Sequence, residues 1–254
     1  MSTGAEPFAP RTCLLTGASG AFGRAFSQRC ADRYNIAAIY NTTFPEFAST
    51  ADEVFDPLEP HQRAVADASV HPIQADLSTA EGCAWAVEAT MQRFGCIDLF
   101  VHAAVYPVWA PLLGSYDLLD TAEMQFAVNV LAPLRLSSYL AHTDWQHHVD
   151  DNVAHNRNVV SLSSTASIRK YPGQGQSVYA ASKAAVNHLT AHLADELASI
   201  GVRVNAVAPD SFPDVVAIED VVDAVVGFDR SSLTGQVLVL DATGKSWLSV
   251  PRQE

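Results

Sequence analysis

Thr12-Cys13-Leu14-Leu15-Thr16-Gly17-Ala18-Ser19-Gly20-Ala21-Phe22-Gly23 is the stretch that decides the fold. Thr12–Thr16 is a short apolar run of strand length, and Ala21–Arg33 carries a helical period. Between them Gly17, Gly20 and Gly23 recur at every third position. Glycine lets the backbone turn tightly and approach a bound group, and the helix start beyond it offers free N–H donors and a positive dipole end. Such a turn suits a pyrophosphate, although alone it also reads as a tight connection with no ligand.

The same alternation continues along the chain. Ile36–Tyr40, Val70–Ala75, Ile97–Ala104, Asn158–Ser163, Val202–Ala208 and Gln236–Leu240 read as further strands. Thr79–Phe94, Thr121–His142, Val178–Ile200 and Ile218–Val226 read as helices between them. Near-continuous apolar strands such as Ile97–Ala104 belong to sheets covered on both faces. The pattern predicts an α/β fold, a Rossmann-type doubly wound parallel sheet of about seven strands with helices on both faces. One domain over residues 1–254 is expected, with Asn41–Ser69 and its three prolines partly loop.

Apolar residues make up 48% of the chain and charged residues 17%, the balance of a packed protein. A net charge of −13 without a Lys/Arg cluster argues against nucleic acid as a partner. The cysteines, Cys13, Cys30, Cys83 and Cys96, form no Cys-x-x-Cys pair and read as buried free thiols in a reducing compartment. Met1–Arg11 lacks a secretory pattern and no apolar run reaches membrane-spanning length, so a cytoplasmic protein without a membrane partner is expected. His142, His147 and His148 near Asp144 stand at offsets of five and six, not the i, i+4 spacing of helical zinc ligands, and no metal is expected. Trp109, Trp145 and Trp247 are scattered and read as packing or rim residues.

Tyr179 and Lys183 stand four apart on one helix face. A phenol ionises near about 10 and is a poor base at neutral pH, but an adjacent ammonium favours phenolate. The pair can therefore exchange a proton with a substrate. Ser163 and Ser164 close the strand before this helix, where a hydroxyl can donate to a carbonyl oxygen gaining charge.

Together these residues resemble the short-chain dehydrogenase/reductase family, over most of the chain. The resemblance implies Ser164, Tyr179 and Lys183 as catalytic residues, with Ser163 the weaker candidate for the serine. It implies that Asn129 takes part through a backbone-held water that links Lys183 to solvent, although a mid-helix Asn also reads as a locally bonded kink. It places a nicotinamide dinucleotide on Gly17, Ser19, Gly20, Ala21, Phe22 and Gly23, with Asn41 at the adenosine ribose. Asp76 and Leu77 fall at the adenine, although Asp76 also reads as a helix-start residue. Ala103 and Ala104 lie beside the cofactor, Lys183 at the nicotinamide ribose, and Pro209 and Phe212 near the nicotinamide.

Several segments depart from the family pattern. Gly20 precedes an Ala21 where the common form has its glycine. His102-Ala103-Ala104-Val105 replaces Asn-Asn-Ala-Gly, and His102 reads as a hydrogen-bonded structural residue. Asp210 replaces a glycine and Asp214 a threonine, where an acid facing a phosphate would repel it. The Ser164–Tyr179 segment is about two residues longer than is usual in the family, near Gly175-Gln176, and the lid after Pro209 is largely missing. A site that is either open, suited to a bulky or carrier-bound substrate, or closed by another subunit is expected. Asn41 stands where NAD-users carry an acid, which favours NADP(H) over NAD(H). The expected function is an NAD(P)-dependent carbonyl reductase acting on a small-molecule ketone or alcohol, as a homodimer or homotetramer. The alternatives are a non-redox step on the same fold (dehydration, epimerisation or cyclisation) or a non-catalytic dinucleotide-binding protein.

Overall fold

The computed structural model describes residues 10–46, 69–113 and 117–248. The start of the chain and most of the Asn41–Ser69 stretch lie outside the described residues; residues 41–46 form no helix or strand. Strand β1 (Arg11–Thr16), helix α1 (Ala21–Cys30) and β2 (Tyr34–Tyr40) open the fold, followed by β3 (Val70–Gln74), α2 (Ala80–Phe94) and β4 (Leu99–His102). Next come α3 (Asp117–Phe126), a π-helical turn (Ala127–Leu131), α4 (Ala132–Thr143), the short α5 (Val149–Ala154), β5 (Asn158–Leu162) and α6 (Ser177–Glu196). The chain closes with β6 (Arg203–Pro209), α7 (Ile218–Arg230), β7 (Val237–Asp241) and β8 (Gly244–Leu248).

The strands form one sheet in the order β3-β2-β1-β4-β5-β6-β7-β8. All neighbours run parallel except β7 and β8. The order reverses between β1 and β4, which opens a crevice at the carboxyl ends of those strands. One core packs α1 and α7 on the sheet through Phe22, Phe26, Val221, Val222 and Val225. The other packs the opposite layer through Cys83, Ala86, Leu136, Leu140 and Ala194.

Local chemistry sets the ends of these elements. The Thr79 hydroxyl accepts from Gly82 N at 3.0 Å to start α2, and Gly95, at φ 79°, ends it. Three sequence readings need correction. An eighth strand exists, and Asp241–Gly244 is the hairpin turn into it and not the end of the sheet. β8 is an exposed antiparallel edge, so it lacks the apolar run that marks buried strands. The helix read over Thr121–His142 starts at Asp117 and is broken by the π-turn. The last helix runs on to Arg230, because Phe228 continues its buried face.

His102 is fully buried at the end of β4. The Thr16 hydroxyl accepts from Ala103 N and Ala104 N, both at 3.1 Å, and hydrogen-bonds His102 Nδ1, also at 3.1 Å, with Val101 O a further acceptor at 3.5 Å. The His102 Nε2 is buried without a hydrogen-bond partner among the described residues, so a charged ring would leave an N–H unmet. Burial, with the Lys183 charge adding to it, pushes this imidazole from its ordinary 6.5 down to about 3. The unfolded chain therefore takes up a proton that the fold refuses, and the stability His102 gives is complete above about pH 6.5 and lost as pH falls toward 3. One such proton is worth about 1.4 kcal/mol per pH unit. Urea unfolding across that window should show His102→Asn losing this share of the acid dependence; equal slopes for the two proteins would exclude it.

Candidate active site

The turn after β1 is shaped for close approach. At Gly17, with φ +70°, a Cβ would sit 2.7 Å from Ala103 O and Ala104 N. At Gly23 it would sit 2.4 Å from Gly17 O, so α1 can pack on the turn only without a side chain there. Ala18 N donates to Ile39 O at 3.0 Å, joining the turn to β2. Helix α1 starts at Gly20 with no side-chain cap and no acidic residue in its first turn, so its leading N–H groups face outward unclaimed by a carboxylate. A dinucleotide pyrophosphate fits this cradle, with Ala21 exposed and the Phe22 side chain turned into the core.

The flanking residues divide. Asn41 is exposed at the end of β2, and its carbonyl accepts from Gln74 Nε2 at 2.8 Å. Asp76 Oδ1 accepts from Ser78 N at 3.0 Å and from the Ser78 hydroxyl at 2.8 Å, which is its local, helix-starting use. Leu77 is buried in the core. Pro209 is buried at the end of β6, and Phe212 packs against the α1/α7 core.

The reacting groups meet at the ends of β5 and α6. Lys183 is 3% exposed, and its Nζ donates to Leu162 O at 2.8 Å. The same Nζ lies 6.0 Å from the centre of the Tyr179 ring. Ser163 and Ser164 separate cleanly. The Ser163 hydroxyl donates to Lys183 O at 3.1 Å, whereas the Ser164 hydroxyl accepts from Ala166 N at 3.1 Å and lies near enough to the Tyr179 phenol to lower its pKa.

The electrostatics differ from the sequence expectation. Burial holds the Tyr179 phenol above its usual value, and it is the Ser164 hydrogen bond, not the ammonium, that pulls the other way. Burial also lowers the Lys183 ammonium to about 8. Desolvation opposes any charge on either group, and spacing on a helix says nothing about it.

Asn129 is fully buried in the π-turn. Its Oδ1 accepts from Tyr106 N at 2.8 Å, and its Nδ2 donates to the Ser182 hydroxyl at 3.0 Å. It thereby joins the loop after β4 to the first turns of α6. Trp109, on that loop, meets the Tyr179 ring edge-on at 6.3 Å.

The Asp210 carboxylate is turned away from the glycine turn's needs by local partners. Its Oδ1 accepts from Ser211 N at 2.8 Å and its Oδ2 from the Tyr171 hydroxyl at 3.1 Å. The Thr165 hydroxyl in turn bonds Tyr171 at 2.8 Å, and Arg169 pairs with Asp241. Thr16, Tyr171 and Arg24, whose guanidinium donates to Ser19 O, are site residues that sequence reading passed over. An arginine in the first turn of α1 was the available signal for Arg24; Tyr171 left none.

Comparison with known proteins agrees with this geometry. The family model described as short chain dehydrogenase matches residues 11–215. The chain is 27% identical over 202 residues to the 1,6-dihydroxycyclohexa-2,4-diene-1-carboxylate dehydrogenase of Pseudomonas putida, covering 80% of this chain and 66% of that protein. It is 30% identical over 216 residues to 3beta-hydroxysteroid dehydrogenase 1 of Eggerthella lenta, covering 84% and 75%. A short chain dehydrogenase from Mycobacterium avium shares the fold with a TM-score of 0.76 at 22% identity, over 96% of this chain and 86% of that one. The chain belongs to the short-chain dehydrogenase/reductase family, oxidoreductases that work with a nicotinamide dinucleotide.

Proposed function

We propose that the protein is an NADPH-dependent carbonyl reductase acting on bulky, apolar ring ketones. The observation that carries this reading is the meeting of Ser164, Tyr179 and Lys183 at the carboxyl edge of the sheet, beside the glycine turn. The bound dinucleotide supplies the hydride. Ser164 donates to the substrate carbonyl oxygen as it gains charge, and Tyr179 delivers its proton to that oxygen. A phenol held above its usual value stays protonated at neutral pH, which suits a proton donor. Lys183 holds the nicotinamide ribose and keeps a positive charge near the reacting oxygen, and Asn129 fixes the helix that bears both.

Substrate size follows from the rim. Residues 210–217 between β6 and α7 form only a tight turn, with Val215 N and Val216 N donating to Ser211 O at 2.8 and 3.1 Å. Opposite it, Val105, Tyr106, Trp109, Leu112 and Leu113 are exposed apolar side chains on the loop beside Tyr179. Trp109, 55% exposed, is an aromatic platform next to the proton donor. The Pseudomonas and Eggerthella relatives are named for ring substrates. Preference for NADP rests on Asn41 in place of an acid, and on Arg24 against Ser19, whose hydroxyl reaches Thr43 O three residues beyond β2.

Three outcomes are expected. NADPH oxidation with fused-ring ketones, followed by its absorbance, should fall about 10²–10⁴-fold in Tyr179→Phe while NADPH binding persists; unchanged turnover would remove Tyr179 as the proton donor. The pH profile of reduction should be flat at neutral pH and decline as pH rises through about 8, where Lys183 loses its proton. A rate still level at about pH 9.5 would break that assignment. Arg24→Ala should raise KM for NADPH about fivefold and leave that for NADH almost unchanged; equal effects on both would mean the guanidinium does not face the 2′-phosphate.

A further inference from the structure

We propose that Tyr171 is a positioning residue: it holds the Asp210 carboxylate away from the bound dinucleotide and so preserves cofactor affinity. This rests on the cofactor site proposed above, whatever ketone the enzyme takes. The hydrogen-bond directions are set by chemistry. A carboxylate only accepts, so the Tyr171 hydroxyl gives its one hydrogen to Asp210 Oδ2 at 3.1 Å. The Thr165 hydroxyl is then the donor in its 2.8 Å bond to Tyr171. Thr165 is 1% exposed and belongs to the short 3-10 turn after Ser164, which gives the chain of bonds a fixed origin.

Both Asp210 oxygens are met by neutral donors. Oδ1 accepts from Ser211 N at 2.8 Å and Oδ2 from the phenol, while the Arg169 guanidinium pairs with Asp241. The negative charge is therefore stabilised by hydrogen bonds and not cancelled. The phenol bond also fixes where it points, toward the segment between β5 and α6 that carries Tyr171.

That direction matters because of where the residue stands. Asp210 N donates to Leu240 O at 2.8 Å, which ties its backbone to β7 at the carboxyl edge of the sheet. Two residues on, Phe212 packs against the core that holds Ala18, Phe22 and Ala103, the residues around the glycine turn. The connection after β6 therefore runs from Tyr171 toward the phosphate cradle. A carboxylate freed to face that cradle would oppose a pyrophosphate across low-dielectric walls. Tyr171→Phe frees Oδ2 and leaves the backbone tie of Asp210 in place, so it releases the charge without moving the connection.

Calorimetric titration of the full chain with NADPH and with NADH, without substrate, tests this. Tyr171 is half-buried and phenylalanine keeps its ring, so the variant should fold. In Tyr171→Phe the Kd for both dinucleotides should rise about fivefold at low salt and about twofold or less in about 0.5 M salt, where the repulsion is screened. Asp210→Asn should bind at least as tightly as the wild type, because its amide oxygen still accepts from Tyr171 and its charge is gone. The double variant, Tyr171→Phe with Asp210→Asn, should return to within about twofold of the wild type. A tyrosine needed only for packing would leave the double variant as weak as the single one. Unchanged affinity in Tyr171→Phe, or a loss that Asp210→Asn does not restore, would overturn the proposal. Failure of the reductase reading shows separately, as dinucleotide binding without ketone turnover.

Discussion

A buried ammonium organises the reacting edge of this protein. A cation taken out of water is costly unless oxygen meets it, and the Lys183 charge is met by one carbonyl, that of Leu162 at the last residue of β5. This bond ties α6 to the sheet at a fixed height. Tyr179, one helical turn earlier, and Ser164, two residues past Leu162, are thereby brought close enough for the serine to act on the phenol. The return bond from the Ser163 hydroxyl to Lys183 O closes the link from the strand side. Two adjacent serines thus have different work, one holding the helix and one facing the phenol.

The π-turn at Ala127–Leu131 follows from the same need. Asn129 must reach both Tyr106 on the loop and Ser182 on α6, and an extra residue in the turn aims its side chain at both. Such turns tend to occur where function requires an unusual side-chain direction. The Thr16 hydroxyl plays the matching part on the cofactor side. By holding two amides after β4 it keeps Ala103 and Ala104 against Gly17, where any side chain would collide.

The alternation of buried strands and helices was legible because a sheet covered on both faces writes continuous apolar runs into the chain. Gly17, Gly20, Tyr179 and Lys183 were legible because their spacing is local. What escaped depended on tertiary partners. β8 carries Lys245 and Ser246 on an open edge, so no apolar period announced it. The break before α4 is set by Tyr106 and Ser182, residues distant in sequence. The raised phenol of Tyr179 reflects burial, and burial is a property of the assembled cleft.

Two departures from the family pattern make one structural change. The connection after β6 is a tight turn, and the segment from Ser164 to Tyr179 is long. That longer segment reaches across to the loop after β4: Ala110 N donates to Gly175 O at 2.9 Å, and Gly175, at φ +62°, comes so close to Ala110 and Pro111 that only glycine fits. Its other flank is held to the sheet by Tyr171 on Asp210 and Arg169 on Asp241. Asp210, misplaced if it faced a phosphate, is the anchor that keeps this segment in place. The segment is thus held on one side against the loop that bears Trp109, whose ring meets that of Tyr179.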